Sequence, residues 1–591
     1  MGSFLAAAAG SAPHAYRFAG FQLETDGALL RGETPLHLPP EELAVLRLLL
    51  ARAGEIVTPL ELKRTLWGGM NVASDSVSRC VASLRARLQP EDCIQSVYKR
   101  GYRISAVVQA AGRRPAGALP RLAILPFAAG HGVPEYLGMA ITGEVTDLLK
   151  SARYAIASLA AQDSVLTLAR RGLAAQEIGA ALRADLVLTG QLLATPRHDR
   201  LRAEMIRAED GAQLWIEDLL AERGRIGALS SELVNRVTSR LHSGGLSIAA
   251  VAEPAVEVES SPHRNEAYEL FLRAHYEWQT LERHRMQDAM GRLIRAIELD
   301  PSLMAARVDL AHLSVAQACH GFMSPLVQAG MVRRSAERIP DSAGNADAEA
   351  LLPALGWVDF HFDHNLPAAL KAFARSAHLP YDPWTTRERV QFALSRRRFG
   401  EAIDLLNAAI ALDPYSPWLQ ALLAWALHLA GDPPASVAQT RKALALFPEH
   451  DGPNLYGAII LSFNGEAAYA AELANELAVR SRYFDLATAV HAYALACAGR
   501  GDDARELLDR LQRLGRERFV MNTFNAAVYV ALGEPDAAIA ELRASLENRC
   551  PWFFQTLADP RLKPLWGRPE FEAMRGVLAG MEAEAEKGAM D

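Results

Sequence analysis

A short cationic segment near the N-terminus holds the residues best suited to contact a charged partner. Between Lys63 and Arg103 there are eight Lys or Arg residues against three Asp or Glu, whereas the full chain of 591 residues has a formal net charge of −7. Within this segment the spacing predicts a helix over about 75–88 with its apolar residues on one face. Those apolar residues are Val77, Val81, Leu84 and Leu88.

The opposite face of that helix carries small residues and cations. At about 100° per residue this face presents Arg79, Ala82, Ser83 and Ala86, with Arg85 and Arg87 on the flanks. Small side chains let a helix approach base edges closely, and guanidinium groups bind phosphates. The pattern therefore predicts a helix that enters the major groove of double-stranded DNA. A solvated face on a protein-interaction module is the alternative.

The elements that must position this helix form the pattern of a small α+β domain. Strand-like runs at 18–23 and 28–38 precede a helix over 41–52, and a second helix over 58–66 begins with Thr58 as a plausible N-cap. After the 75–88 helix, the residues 94–104 form the pattern of a β-hairpin. These elements together predict a winged helix with a basic wing tip.

Four motifs in this region resemble the OmpR/PhoB winged-helix class over nearly all of 18–105. They are Leu38-Pro-Pro-Glu-Glu-Leu, Leu66-Trp-Gly, Leu84-Arg-Ala-Arg-Leu and Arg100-Gly-Tyr-Arg-Ile. The resemblance implies a transcription factor whose third helix reads the major groove and whose wing touches the neighbouring minor groove or backbone. The positions of Ala82 and Ser83 are often basic in that class, so its base code cannot be copied onto this chain.

The site residues expected from the pattern and the resemblance fall into three groups. Candidates for base contacts are Arg79, Ser83, Ser78 and Ala82. Candidates for phosphate and wing contacts are Trp67, Ser76, Arg85, Arg87, Lys99 and Arg100. The resemblance also implies a loop that meets RNA polymerase, formed by Gly68, Gly69, Met70 and Asn71. The expected partners are therefore DNA and RNA polymerase, and whether the chain is a homo-oligomer on DNA is left open.

The middle of the chain alternates strand and helix patterns, which predicts an α/β domain. Strands are expected at 122–127 and 185–192, a weaker one at 154–158, and helices at 135–150 and 176–183. The motifs Ala123-Ile-Leu-Pro-Phe, Ala184-Asp-Leu-Val-Leu-Thr-Gly and Ala212-Gln-Leu-Trp resemble the TolB-like amino-terminal domain. Neither GxGxxG after a strand nor GxxxxGK[ST] occurs, so no catalytic residue, cofactor or enzymatic activity is expected.

The last third of the chain repeats with a period of 34 residues. Glycines recur at Gly431, Gly465, Gly499 and Gly533, each between two helical patterns. This period is typical of tetratricopeptide repeats, and about seven or eight are expected between 265 and 550. We expect a solenoid with nearest-neighbour energetics, a concave groove for a protein or peptide partner, and a C-terminal cap that contains 552–554.

Metal, redox and membrane roles find little support in the residue types. The five cysteines form no CxxC pair, and Asp359, His361, Asp363 and His364 alternate with phenylalanines at a probable helix end, which favours packing over a metal site. The N-terminal apolar run follows no Lys or Arg, and no apolar stretch approaches about 20 residues. A cytoplasmic protein without membrane contact is expected. Because the winged helix starts near 18, control by a preceding phosphorylated receiver domain is not expected.

The predicted organisation is multidomain. It comprises a winged helix over 14–106, a linker over 107–119, a TolB-like α/β domain over 120–242, a linker over 243–262, and an all-α tetratricopeptide solenoid with a C-terminal cap over 263–580. This arrangement is similar to the bacterial HilA-type group, which implies a sequence-specific regulator that activates virulence or secretion genes. The alternative function is a tetratricopeptide scaffold whose winged helix mediates protein contacts.

Overall fold

The computed structural model describes most of the chain and divides it into two compact units. One unit comprises 1–120 with 179–183, and the other comprises 121–178 with 184–591. The residues described are 15–23, 28–31, 34–36, 38–53, 56–59, 61–62, 76–89, 93–97, 101–105, 108–111, 119–150, 158–223, 225–243, 262–279, 281–337, 339, 348–481 and 485–588.

The first unit contains a five-stranded sheet, two longer helices and a hairpin. Its elements are β1 (Ala15–Phe18), β2 (Phe21–Leu23), β3 (Leu29–Arg31), β4 (Thr34–Leu36), α1 (Pro40–Ala51), α2 (Ser76–Arg87), β5 (Ile94–Val97), β6 (Gly101–Ile104) and β7 (Val108–Ala111). The sheet order is β4-β3-β2-β1-β7, and β5 pairs with β6 alone. The expected linker over 107–119 is therefore wrong at its start, because the strand β7 pairs antiparallel with β1.

The core of the first unit confirms the helical pattern of α2. Val77, Val81, Leu84 and Leu88 are all buried. The second predicted helix begins with a capping box, in which Glu61 N donates to Thr58 Oγ1 at 3.2 Å and Thr58 N donates to Glu61 Oε2 at 2.8 Å. The Asp26-Gly27 segment between the first two strand-like runs lies outside the described residues.

A mixed sheet forms the first part of the second unit. Its strands are β8 (Arg121–Ile124), β9 (Ala128–Ala129), β10 (Ser158–Leu159), β11 (Leu186–Ala194), β12 (His198–Arg207) and β13 (Gln213–Glu222), with helices α3 (Glu135–Lys150), α4 (Gln162–Arg170), α5 (Ala175–Ala181) and α6 (Ile226–Ser243). The order is β10-β8-β11-β12-β13, and β9 pairs with β11. Pairs of β8 with β10 and β11 are parallel, whereas β11-β12-β13 is an antiparallel meander.

Eight helix pairs follow the sheet in the described part of the second unit, in agreement with the predicted solenoid. The pairs are α7 (Pro262–Trp278) with α8 (Arg283–Leu299), α9 (Met304–Cys319) with α10 (Pro325–Ala336), α11 (Leu352–His361) with α12 (Leu366–Arg375), α13 (Pro383–Ser395) with α14 (Phe399–Leu412), α15 (Pro417–Leu429) with α16 (Pro433–Leu446), α17 (Asp451–Phe463) with α18 (Ala467–Arg480), α19 (Asp485–Cys497) with α20 (Gly501–Glu517), and α21 (Thr523–Ala531) with α22 (Pro535–Glu547). One continuous apolar core runs through all of them. The chain ends with α23 (Phe553–Thr556), a 3-10 helix (Pro560–Leu565) and α24 (Pro569–Gly588).

The recurring glycine has a backbone reason within each repeat. Gly431 has φ +79° and ends α15, and the N–H of Asp432 reaches back to the carbonyl of Leu427 at 3.1 Å. This is a Schellman-type helix end, which favours glycine in the left-handed region. The position 34 residues earlier is Arg397, which adopts φ +59° and makes the same turn.

The segment that follows the last repeat packs deep inside the solenoid. Trp552 Nε1 donates to Cys319 O at 2.7 Å, Trp425 Nε1 donates to Gln555 Oε1 at 3.0 Å, and the ring of Phe554 lies 5.2 Å from that of Phe360. These partners belong to α9, α11 and α15, far from the last pair in sequence, and Trp552 also packs against Phe524 of the last pair, with ring centroids 5.4 Å apart. The expected capping segment at 552–554 therefore contacts the last pair, but it is also buried against much earlier repeats, which nearest-neighbour contacts alone did not predict.

A buried carboxylate joins the sheet region to the solenoid. Asp413, which follows α14, accepts from Ser164 N of α4 at 3.0 Å, from the Ser164 hydroxyl, and from Tyr381 Oη at 2.9 Å. Ser416 Oγ also donates to Asp163 Oδ2 at 3.2 Å. Burial, with Asp163 nearby, raises the pKa of Asp413 to about 7.

Candidate nucleic-acid interface

Helix α2 presents one face to the core and the other to the outside of the first unit. The side chains of Ser78, Arg79 and Ala82 are exposed, and Ser83 is half-buried. Within the described residues Arg79 makes no hydrogen bond or ion pair, so its guanidinium keeps its full set of donors for an external acceptor. Three of the four base-contact candidates are thus exposed on one helix.

The base of the wing is joined to α2 and to Val57, the residue before the second predicted helix. Ser78 Oγ and Tyr102 Oη lie 3.1 Å apart, and Val57 forms an antiparallel bridge with Tyr102. Gly101 has φ +143°, and a Cβ there would lie 2.2 Å from Val57 O. Only glycine allows this approach, which explains the glycine of the Arg-Gly-Tyr-Arg motif.

Two flanking arginines of α2 have partners within the unit. Arg85 donates from Nε to Ile94 O at 2.8 Å, and from Nη2 to Ile94 O at 2.6 Å and Ser96 Oγ at 3.0 Å. Arg87 Nε lies 3.0 Å from Glu42 Oε2 of α1. Arg85 therefore braces α2 against the hairpin and leaves Nη1 as the nitrogen without a described partner, while Arg87 braces α2 against α1.

Several expected contact residues lie outside the described part of the chain. They are Trp67, Gly68, Gly69, Met70, Asn71, Lys99 and Arg100. Ser76 is the first residue of α2, but its side chain is also outside the description. The structure therefore brings together Ser78, Arg79, Ala82, Ser83, Arg85 and Arg87 on one helix.

The residues that were considered for redox or metal chemistry are buried in the core or paired with other side chains. Cys80 is buried, and burial raises the pKa of its thiol. His361 is enclosed by aromatic rings, and Asp363 pairs with Arg333 at 2.6 Å. Among the described residues, no group of three His, Cys, Asp or Glu side chains could hold a metal ion. No described helix combines the length and hydropathy that a membrane span requires.

The comparison with protein families assigns the first unit. Residues 33–104 match the family model described as "Transcriptional regulatory protein, C terminal". The first unit is therefore an OmpR/PhoB-type winged-helix DNA-binding domain, and the class of protein is a DNA-binding transcriptional regulator with a tetratricopeptide-like solenoid.

The chain is similar over most of its length to the transcriptional regulator HilA. It is 24% identical over 564 residues to HilA of Salmonella typhimurium strain LT2, covering 92% of this chain and 97% of that protein. HilA of Salmonella typhi matches with the same identity and coverage. The similarity therefore includes the winged helix, the sheet region and the solenoid.

Solved helical-repeat structures also resemble part of the chain. A tetratricopeptide repeat protein from Parabacteroides merdae covers 53% of this chain and 99% of its own, with 10% identity and a TM-score of 0.26. The APC/C Cut9–Hcn1 heterotetramer covers 61% of this chain and 66% of that chain, with 13% identity and a TM-score of 0.39.

Residues that sequence reasoning did not select contribute to the interface. Tyr102 contacts Ser78, and Glu42 holds Arg87. Tyr102 belongs to a motif that is visible in the sequence, and its place two residues after the basic wing tip was a usable signal. The role of Glu42 had no local signal, since it depends on how α1 packs on α2.

Proposed function

We propose that this chain is a sequence-specific regulator that reads DNA with α2 and activates virulence or secretion-type genes in the bacterial cytoplasm. The single observation that carries the base-reading role is the exposed face of α2, where Arg79 has no described partner and lies beside small side chains. Arg contacts guanine bidentately, and small residues beside it permit a close approach. The similarity to HilA supports the class of target genes.

The proposed contacts divide by type. Arg79, Ser78, Ala82 and Ser83 face base edges, whereas Trp67, Ser76, Arg87, Lys99 and Arg100 bind phosphates. Arg85 also binds phosphate, through its remaining amino group. Gly68, Gly69, Met70 and Asn71 form the loop that contacts RNA polymerase. The solenoid binds a protein partner or a second copy, and the middle domain is of the TolB-like type.

The decisive experiment is a DNA titration with the full chain on matched and single-mismatch sites at several salt concentrations. Arg79→Ala should weaken specific binding by about 1–3 kcal/mol and relax specificity at one base pair. Arg87→Ala should weaken all sequences about equally and reduce the salt slope by roughly 1. Arg505→Ala, on an exposed solenoid surface, is the matched control and should change neither quantity.

The scaffold alternative makes a different prediction in the same titration. A winged helix that contacts only proteins would show no steep salt dependence on DNA, because no counterions would be released. If Arg79→Ala weakens matched and mismatched sites equally, the base-reading assignment is wrong. A promoter–reporter assay then tests activation, and light scattering of the DNA complex tests the oligomer.

A further inference from the structure

A small cavity lies inside the solenoid, between helices of five repeats and the C-terminal segment. Its volume is about 50 Å³, and it is bordered by α9, α13, α15, α17, α19 and α23. A cavity needs roughly 10–15 Å³ to hold a water molecule, so this one has room for a group of a few non-hydrogen atoms. The polar lining includes Arg387, Glu388, Gln391 and Gln555, and the apolar lining includes Leu422 and Leu455.

Arg387 is held between two tryptophans from consecutive repeats. Its guanidinium carbon lies 4.5 Å from the centre of the Trp384 ring and 4.6 Å from that of Trp418. The two tryptophans are 34 residues apart and therefore occupy the same position in their repeats. The rings fix the guanidinium by cation–π contact on its faces, and they leave its N–H edges available.

No described carboxylate forms an ion pair with Arg387. Burial lowers its pKa, and the charges of Glu388 and Asp163 oppose that shift without contacting the guanidinium. The adjacent Glu388 is paired through Oε1 with His312 Nδ1 at 2.9 Å, and its Oε2 atom has no hydrogen-bond partner. Asp163 is engaged by Ser416. A largely desolvated cation without a partner is destabilising, so the cavity favours an anion.

A second donor in the cavity also lacks an acceptor. Gln555 is 1% exposed, and its side-chain oxygen accepts from Trp425 Nε1. That bond fixes the orientation of the amide, and the Gln555 Nε2 atom has no partner. The oxygen of Gln391 is likewise used by Trp357 Nε1 at 2.9 Å. The cavity therefore contains unpaired N–H donors, which call for an acceptor group.

We infer that this cavity binds the carboxylate of a small organic acid, with the carboxylate at Arg387 and Gln555 and a short apolar body against Leu422 and Leu455. A planar guanidinium matches a carboxylate in two parallel hydrogen bonds. The apolar wall and the small volume exclude a large or fully hydrophilic ligand. This site is separate from the DNA interface and goes beyond the proposed regulatory function, because it adds a small-molecule ligand.

The test compares propionate with its neutral isostere propionamide on the full chain at constant ionic strength. Propionate should raise the thermal midpoint in a saturable way and bind in calorimetry, because a ligand that binds only the folded state stabilises it. Propionamide should bind at least tenfold more weakly. Arg387→Gln should reduce propionate affinity at least tenfold, whereas Arg441→Gln, which removes an exposed arginine paired with Glu466, should not change it.

The outcomes that overturn the proposal are distinct. Equal effects of propionate and propionamide on the wild-type chain would show that Arg387 does not select for charge, and this comparison needs no variant to fold. If the folded Arg387→Gln variant binds propionate with unchanged affinity, propionate binds at another site and the proposal is wrong. Sulfate binding as tightly as propionate would identify a general anion site and contradict the carboxylate class.

Discussion

Arg79 of the winged helix faces outward, whereas several arginines of the solenoid are buried between repeats. Arg79 is exposed and without a described partner, but Arg561 is 6% exposed, pairs with Asp559 at 2.7 Å and stacks over Tyr493 at 4.8 Å. Arg307 is also buried and donates to three backbone carbonyls. Arg79 therefore offers an available charge, whereas Arg561 and Arg307 brace the solenoid from inside, as Arg85 and Arg87 brace α2 within the winged helix.

The buried ion pair should show the largest effect. Asp559→Asn removes the negative charge opposite Arg561 and replaces one of the two oxygens that contact Arg561 and His428 Nε2, the latter 3.2 Å from Asp559 Oδ1. Breaking one side of a buried pair costs about 3–5 kcal/mol, because a charge remains uncompensated. This loss of stability is measured by denaturant unfolding of the full chain, with circular dichroism of the helices as the signal. Glu534→Gln, in an exposed pair with Arg505, is the control and should cost at most about 1 kcal/mol. Equal losses would remove the distinction between buried and exposed arginines.

The buried carboxylate Asp413 should make stability depend on pH. Its folded pKa of about 7 lies above the usual value of about 3.9. Its contribution is therefore fully present below pH about 4 and is lost as the pH rises through 7. Asp413→Asn should gain stability relative to the wild type by about 1–3 kcal/mol between pH 5 and 8.

Unfolding of both proteins at each pH checks this prediction. The free energy of unfolding of the wild type is subtracted from that of the variant at each pH. This difference removes the contribution of groups that titrate alike in the two proteins. Asp300→Asn provides the matched control, because Asp300, like Asp413, stands between a leucine and a proline. The side chain of Asp300 accepts a hydrogen bond from Ser302 N at 3.0 Å. A pH-independent difference for Asp413→Asn would contradict the raised pKa.

Within the winged helix, replacing Arg85 and replacing Arg79 should differ in their effect on the free energy of unfolding, and not only in their effect on DNA binding. Arg85→Ala removes the hydrogen bonds that join α2 to the hairpin and should lower the free energy of unfolding by about 1–2 kcal/mol. Arg79→Ala should change it by less than about 0.5 kcal/mol, as for an exposed side chain without a partner. Hydrogen exchange in the first unit of the full chain measures both. A larger loss of stability in Arg79→Ala would show that Arg79, the proposed base-contacting residue, also has a structural role.

The smallest effect should come from the repeat turns. Gly431→Ala puts a Cβ on a residue with φ +79°, where no other atom lies within 4 Å of it, so the backbone conformation alone costs about 1 kcal/mol. Gly291→Ala, also without a close neighbour but in the middle of α8, should instead stabilise by about 0.5–1 kcal/mol. Thermal unfolding of the two variants gives opposite signs if the turn conformation is the reason for the 34-residue glycine.

Local periodicity predicted the parts of the fold that local contacts determine. The stripe of α2, the Thr58 helix start and the helix pairs around Gly431 were all visible, because each is set by residues within a few turns of the chain. The β12–β13 hairpin was not predicted, since Leu214 and Leu220 lie on its exposed face and blur the alternation of apolar and polar residues.

Contacts between distant segments were beyond the sequence patterns. Phe554 was expected at the end of the stack because it follows the last repeat, yet its ring lies against Phe360. In the same way the arginines of α2 could be placed on faces, but the partner of Arg85 across the hairpin could not be foreseen. The Arg387 cavity could not be predicted, because it is formed by side chains of separate repeats and of the C-terminal segment that packs back against them. A pattern along the sequence does not show which of these segments meet.

The return of the C-terminal segment has a consequence for synthesis on the ribosome. The aromatic surface around Phe360 emerges about 190 residues before its partner Phe554. At roughly 5–20 residues per second, that surface waits about 10–40 s without its native cover. During this interval the nascent solenoid has an exposed apolar interior that a chaperone could bind. A premature stop after α22 would make that exposure permanent, so even a short loss of the C-terminus should direct the protein to degradation.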